Sequence, residues 1–379
     1  MKRFLCFALV TLCLLGCTAC KVVPVTPSQT QPQSQAQTKP LQENPVGYLL
    51  VNGEKKVPEY VLEIDGTKVD YTEFRFNYLT EKEAMLQGVS EADRANFWTQ
   101  EKTQELLNNT KNAILRDHLT EQGANKDKVT LSDAQQKEVD SVIKQYLDYY
   151  GQEDFIKELH LVNIDTVAFY RTLNARSYQK SLWFTQLYNA GGKLAWGEDK
   201  MDTYCQEKFK KDFREYVDTT YLRCKHILIS FVEGESTTNS TKTLEKANQV
   251  YQLVTNGTDF DQAIKTYNQD PGASASPDGY TFTEGDMVKE FYEGTKALAY
   301  HAISQPVMSK YGYHIILRLP LQESFYDSMK NQLGFGSSQA AGPYSQDFYQ
   351  YCDNLAKNFT GKLTFHPAYE SYLTPDNVH

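Results

Sequence analysis

The sequence predicts an α+β fold, a small sheet domain set between mainly helical segments, and three observations predict it. First, Arg223–Ser230 and Tyr311–Arg318 each hold an apolar run rich in β-branched residues, Ile227-Leu228-Ile229 and Ile315-Ile316-Leu317, bounded by turn signals as central strands are. Each strand carries one histidine, His226 or His314, and neighbouring strands can bring the two imidazoles together. Second, apolar residues recur at helical spacing from about Tyr71 to Phe213. Third, the roughly sixty residues beyond Pro320 are too few to build a core alone, so they are expected to pack on the N-terminal helices.

The chain of 379 residues has room for two or three domains, and 40% apolar with 13% aromatic content supplies sizeable cores. Formal charge is −9, and about −11 with Lys2 and Arg3 left out. That balance argues against nucleic acid as the main partner and suits surroundings of anionic envelope polymers. No CxxC or metal-ligand spacing links Cys20, Cys205, Cys224 and Cys352, so no metal and no cofactor is expected. One disulfide with a spare thiol and no disulfide at all both remain open; Cys224, two residues before His226, reads as a core residue or as a catalytic thiol.

Lys2 and Arg3 precede an apolar run from Phe4 to Gly16, too short to span a bilayer and typical of a secretory signal peptide over residues 1–16. Its end, Leu14-Leu15-Gly16-Cys17-Thr18-Ala19-Cys20, resembles the bacterial lipobox, whose cysteine receives diacylglycerol. The match at Cys17 has the outer leucine that the alternative, Cys20, lacks; an ordinary cleaved signal or an uncleaved anchor is the third reading. Acyl chains there would hold the protein on the outer face of the bacterial cell membrane. Residues 17–45 are mostly Gln, Ser, Thr and Pro and predict a flexible tether.

Order is expected from Val46. Gly47–Gly53 and Tyr60–Gly66 read as short strands ending in Asn-Gly and Asp-Gly turns. The capping spacing Asp70-Tyr71-Thr72-Glu73 starts a helix to about Gln87. Ser90 predicts one long helix to Gly123, Ser132 another to Gly151, and shorter ones follow over Asp154–Leu159, Asp165–Gly191 and Lys200–Phe213. A strand is expected to begin near Tyr216. Within the sheet domain, Thr243–Thr255 ends at Asn256-Gly257, Asp259–Ile264 is a second helix, Phe291–Ala302 a third, and Pro306–Met308 enters a strand. Beyond Pro320 at least one helix, Ser345–Lys357, and a strand, Lys362–Phe365, are expected.

Six pieces of the centre together resemble a parvulin-type peptidyl-prolyl isomerase domain: Lys225–Ile229, Gly257–Phe260, Asn268–Gly272, Gly285–Phe291, Ile303–Val307 and Tyr311–Ile316. With the lipobox and the flanking segments, the whole chain resembles the PrsA-type foldase lipoproteins and the related SurA-type chaperones. The resemblance implies an FKBP-like α/β domain with a small antiparallel sheet at residues 217–320. It would be inserted in a mainly α-helical chaperone lobe built from segments 46–216 and 321–379. It also implies isomerisation of X-Pro bonds and, as partners, unfolded or partly folded exported proteins containing proline, with the membrane reached through the lipid anchor. A homodimer stays open.

Rotating an X-Pro bond meets a barrier near ~20 kcal/mol because amide resonance is lost, and a catalyst need only bind the twisted amide better than the planar ones. By resemblance, Met287 and Phe291 form the apolar cup for the proline ring, with Phe282 beside it. His226 and His314 are the paired family histidines, Asp270 faces the amide carbonyl, and Ser309 links to the histidines. Read without the motif, Met287 and Phe291 at i and i+4 suit a core better than a substrate cup, and His226 suits a satisfied core histidine. One departure stands out: Ser276-Pro277-Asp278-Gly279-Tyr280-Thr281-Phe282 replaces the family's Gly-Gly-Asp-Leu-Gly, with Tyr280 in place of a pocket-wall leucine. Weak activity, or a holdase with a degenerate, inactive parvulin domain, is therefore the alternative. Phe231–Glu235 lacks the arginine cluster that phosphate-directed parvulins use.

Overall fold

The computed structural model describes residues 46–94, 96–337 and 340–379. The signal peptide, the tether and both candidate lipidation sites, Cys17 and Cys20, lie outside them. Two units are distinguished: residues up to Leu194 together with Leu333–His379, and the contiguous stretch Ala195–Gln332.

In the first unit the Asn-Gly and Asp-Gly turns form as read. Strands β1 (Leu49–Val51) and β2 (Glu54–Lys56) pair antiparallel across Asn52-Gly53, both at positive φ. Strands β3 (Tyr60–Ile64) and β4 (Thr67–Asp70) pair across Asp65-Gly66, again both at positive φ. The late segment Leu363–Phe365, numbered β9 in chain order, adds to β3 with Leu62 opposite Phe365. Their apolar faces close on Phe74 and Tyr78 of the helix Tyr71–Met85 and on Leu106 and Ile114 of the helix Gln100–Lys126. Asp70 caps the first of these helices, accepting from the Glu73 amide at 2.8 Å, and a full capping box of Ser132 and Gln135 starts Asp133–Tyr150. The helices Gln152–His160 and Val167–Tyr188 follow.

The single helix expected from Ser90 to Gly123 is instead two. Ser90 serves only Glu91–Arg94, and Thr99, in extended conformation, accepts from the Lys102 amide and begins the long helix at Gln100. Two capping side chains nine residues apart each terminate what precedes them. The helix Pro343–Lys357 packs Phe348 on Trp183 and Tyr344 on Tyr188, with ring centroids 5.7 and 4.9 Å apart, so the late segment completes the early one's core.

The second unit opens with helices Glu198–Phe209 and Phe213–Thr220. The latter replaces the strand expected near Tyr216, because Asp212 accepts from the Glu215 amide at 2.7 Å and starts a helix there. The sheet begins at Leu222. Its four antiparallel strands lie in the order β6 (Tyr280–Phe282), β5 (Leu222–Ser230), β8 (Gly312–Leu319), β7 (Val307–Ser309). Both faces of β5 and β8 are covered, which explains their continuous apolar runs. Ile227, Ile229 and Ile315 pack under helices Thr241–Thr255 and Phe260–Tyr267, against Ala247, Val250 and Phe260. Leu222, Cys224 and Ile316 face the short helix Lys289–Lys296 through Phe291 and Tyr292. Each fully buried aliphatic or phenylalanine side chain contributes about 1.5–3 kcal/mol of transfer free energy. A helix Glu323–Phe335, unforeseen in the sequence, follows β8. Cys205, Cys224 and Cys352 are buried free thiols, and no described helix is long and apolar enough to cross a membrane.

Candidate active site

The register of β5 on β8 creates the site. His226 lies opposite Ile316 and Leu228 opposite His314, so the two histidines are diagonal neighbours on one face of the sheet. Their rings meet edge to face with centroids 5.3 Å apart. This is the Cys224 face, opposite to the Ile227 and Ile229 face.

His314 is anchored by the adjoining hairpin. Its Nε2 and the hydroxyl of Ser309, on β7, are 2.7 Å apart, and that hydroxyl also accepts from the Tyr311 amide at 3.1 Å. Its Nδ1 has no hydrogen-bond partner. Burial, helped by the neighbouring His226, lowers the His314 pKa to about 4, so the ring is neutral at pH 7. Burial lowers His226 too, against the opposing pull of Asp270.

Asp270 is delivered by a piece of backbone that behaves like a strand. Beyond Cys224, β5 no longer pairs with β6, and its edge is met by the Asn268-Gln269 segment. The Leu228 amide donates to Asn268 Oδ1, the Gln269 amide to the Leu228 carbonyl, and the Ser230 amide to Gln269 Oε1, each at 2.8–2.9 Å. Asp270 follows directly, and its Oδ2 lies 3.1 Å from His226 Nε2, though without the alignment of a hydrogen bond. The same Oδ2 accepts from the Tyr280 hydroxyl at 2.5 Å, while Oδ1 accepts from the Gly272 amide at 3.1 Å. Burial raises the Asp270 pKa, but these donors and His226 outweigh it, so the group stays below the usual aspartate value and is charged at pH 7.

The apolar part lies beside the histidines. Phe291 sits edge-on to His226 and His314, centroids 4.9 and 5.1 Å away, and 5.6 Å from Phe282. Met287 stands in the turn before the helix Lys289–Lys296 and packs half-buried on the same cluster, together with Tyr280 and Val307. Tyr280 stacks on His226 at 5.3 Å with 12° between the planes. All eight residues predicted for the site are thus brought together. Sequence reasoning left Asn268 and Gln269 without a role, although both stood in a motif already noted. It also left unassigned Thr295, whose hydroxyl lies 3.9 Å from Cys224 Sγ. That thiol is fully buried and burial pushes its pKa up to about 12, so of its two readings the core one holds. Among the described residues no group of His, Cys, Asp or Glu could hold a metal ion.

Residues 208–318 match the family model of the PPIC-type PPIASE domain, and this stretch is a parvulin domain with the antiparallel sheet that the resemblance implied. Part of the chain is similar to PrsA-type foldases and SurA-type chaperones. Foldase protein PrsA of Geobacillus kaustophilus is 35% identical over 130 residues, 33% of this chain and 42% of that protein. Chaperone SurA of Burkholderia thailandensis is 34% identical over 92 residues, 24% of this chain and 20% of that protein. The chain therefore spans less than half the length of these curated relatives. Among solved structures, the parvuline NmPin of Nitrosopumilus maritimus is 27% identical, covering 27% of this chain and 97% of its own at a TM-score of 0.22. PrsA from Bacillus subtilis is 17% identical, covering 66% and 83%, at a TM-score of 0.26. Similarities at such scores carry no argument about function.

Proposed function

We propose that the protein is an extracytoplasmic foldase, anchored to the membrane by a lipid on Cys17 or Cys20, that isomerises X-Pro bonds in exported proteins and binds unfolded chains. Residues 217–320 carry the isomerase, and segments 46–216 and 321–379 form the chaperone lobe. The observation that carries this reading is the apolar cup of Met287, Phe291 and Phe282 beside a charged Asp270 and two neutral histidines. The proline ring sits in the cup and its amide carbonyl points toward Asp270. Planar amide resonance places partial negative charge on that oxygen, so a fixed carboxylate disfavours the planar forms relative to the twisted one. His226 and His314, neutral at pH 7, carry no imidazolium proton for acid catalysis; they orient the site, His314 through Ser309. Tyr280 walls the cup.

A protease-coupled proline-isomerisation assay tests this. Turnover equal to the uncatalysed rate, unchanged when Met287 and Phe291 are replaced by alanine, sinks the enzymatic reading.

A second reading, a holdase with an inactive parvulin domain, has its own support. Tyr149 and Leu161, 64% and 58% exposed, leave large apolar surface at the ends of the helices Asp133–Tyr150 and Gln152–His160. Aggregation suppression that survives deletion of Tyr221–Leu319 assigns chaperone binding to the helical lobe; its loss removes that assignment.

A further inference from the structure

We propose that Tyr280 is a positioning residue of the isomerase site: its phenol fixes the Asp270 carboxylate beside His226 while its ring covers the face of that histidine. The inference rests on the isomerase reading above and concerns the segment where this chain departs from the family pattern.

The pocket-wall leucine of the family pattern, for which Tyr280 is the candidate substitute, donates nothing. Tyr280 donates to Oδ2 at 2.5 Å, and its ring lies nearly parallel to His226. Without that bond, Asp270 keeps only the Gly272 amide on Oδ1 and the poorly aligned approach of His226. Torsion about the carboxylate bond is broad, so one donor on one oxygen leaves the plane of the group loosely set.

The surroundings are shaped to this contact from two sides. A Cβ on Gly272 would stand 3.0 Å from the Tyr280 hydroxyl oxygen, so the glycine makes room for it. Gly279, at φ +99°, brings the chain so close to β5 that a Cβ there would lie 2.6 Å from the Cys224 carbonyl oxygen. That approach lets Tyr280 pair opposite Cys224 and aim across His226 at Asp270. The Pro277-Asp278-Gly279 turn is thus the device that aims the phenol.

The titratable groups facing Asp270 are His226 from β5, His314 from β8 and Tyr280 from β6. A hydrogen bond donated to a carboxylate favours its charged form. Removing the hydroxyl alone should therefore leave the fold intact and make Asp270 easier to protonate.

The test is an NMR pH titration of the Asp270 side-chain carboxyl carbon in the full chain, wild type against Tyr280→Phe, beside kcat/KM profiles of both. The midpoint is expected to rise by about one pH unit in the variant. At pH 7 kcat should fall about three- to tenfold with KM unchanged, because the group is misplaced rather than the proline unbound. Tyr280→Leu, which also lacks the hydroxyl, should raise the midpoint at least as far. An equal midpoint in wild type and Tyr280→Phe, or a wild-type midpoint at or above the ordinary aspartate value of about 3.9, overturns the proposal. Wild-type turnover at the uncatalysed rate sinks the isomerase reading instead, and the midpoints still decide whether the phenol holds the carboxylate.

Discussion

Each of the two units buries a polar cluster, and they treat it in opposite ways. In the first, the Arg75 side chain is 9% exposed and fully engaged. It donates through Nε to the His379 carbonyl at 2.5 Å and through a terminal nitrogen to the Asn163 carbonyl and to Asp165 Oδ1 at 3.1 and 2.8 Å. In the second, Nδ1 of both His226 and His314 is buried with no hydrogen-bond partner, and His226 Nε2 has only the 3.1 Å approach of Asp270. A buried polar group left unmet costs about 1–3 kcal/mol, so the first cluster is architecture and the second is a cost that folding alone does not explain. Neutral hydroxyls without partners occur in the first unit too, at Tyr71 and Tyr78, yet the Arg75 guanidinium and the Asp165 carboxylate meet each other.

Four experiments press on that contrast. The largest effect is expected from Arg75→Ala, which strands Asp165: the first unit should lose about 3–5 kcal/mol in denaturant unfolding while isomerase turnover per folded molecule stays at the wild-type level. Turnover falling in step with stability would show the two clusters to be one system.

Next comes pH. An unfolded histidine takes up a proton near 6.5 but folded His314 not until about 4, so between these values the unfolded state binds more protons. The second unit's stability is therefore complete above about pH 6.5 and is lost as pH falls toward 4, by roughly 1–3 kcal/mol. Thermal unfolding at pH 7 and pH 5 measures it, and His314→Asn should reduce the slope to the part that His226, also lowered by burial, contributes. A slope unchanged in the variant places the titration elsewhere.

Met287→Ala is expected to lower kcat/KM about tenfold, equivalent to about 1.4 kcal/mol, while stability changes by less than that because the side chain is only half-buried. If stability falls and turnover does not, Met287 belongs to the core alone. Smallest is Ser309→Ala, which frees His314 Nε2 and should cost about 1 kcal/mol of stability with a several-fold loss of turnover; full activity would reduce Ser309 to packing.

Much of this was legible in the residues. Local signals with a local cause read correctly: the Asp70 and Ser132 caps, the Asn-Gly and Asp-Gly turns, and the β-branched runs at Ile227 and Ile315. Errors arose where two local signals compete. Ser90 and Thr99 both cap, and the helix broke at the second; Asp212 turned an expected strand into a helix. Glu323–Phe335 was missed although its apolar stripe is no weaker than those of Tyr71–Met85 and Val167–Tyr188, which were read. Residue types and motif order pointed to the eight side chains that the fold gathers at the candidate site. What they could not convey was direction: the Asn268 and Gln269 amides serving a strand edge, and the Tyr280 phenol reaching ten residues back to Asp270, depend on pairings that only the fold creates.

The pairing of β9 with β3 sets an order of events. Leu363–Phe365 must travel about three hundred positions to meet Leu62–Ile64, whereas every strand of the second unit lies within Ala195–Gln332. A chain that emerges N-terminus first can complete the second unit while the first still lacks a strand and the helix Pro343–Lys357. During that interval Leu62, Phe74 and Trp183 remain without their late-arriving neighbours. The young protein thus exposes, for a time, apolar surface that its finished fold buries.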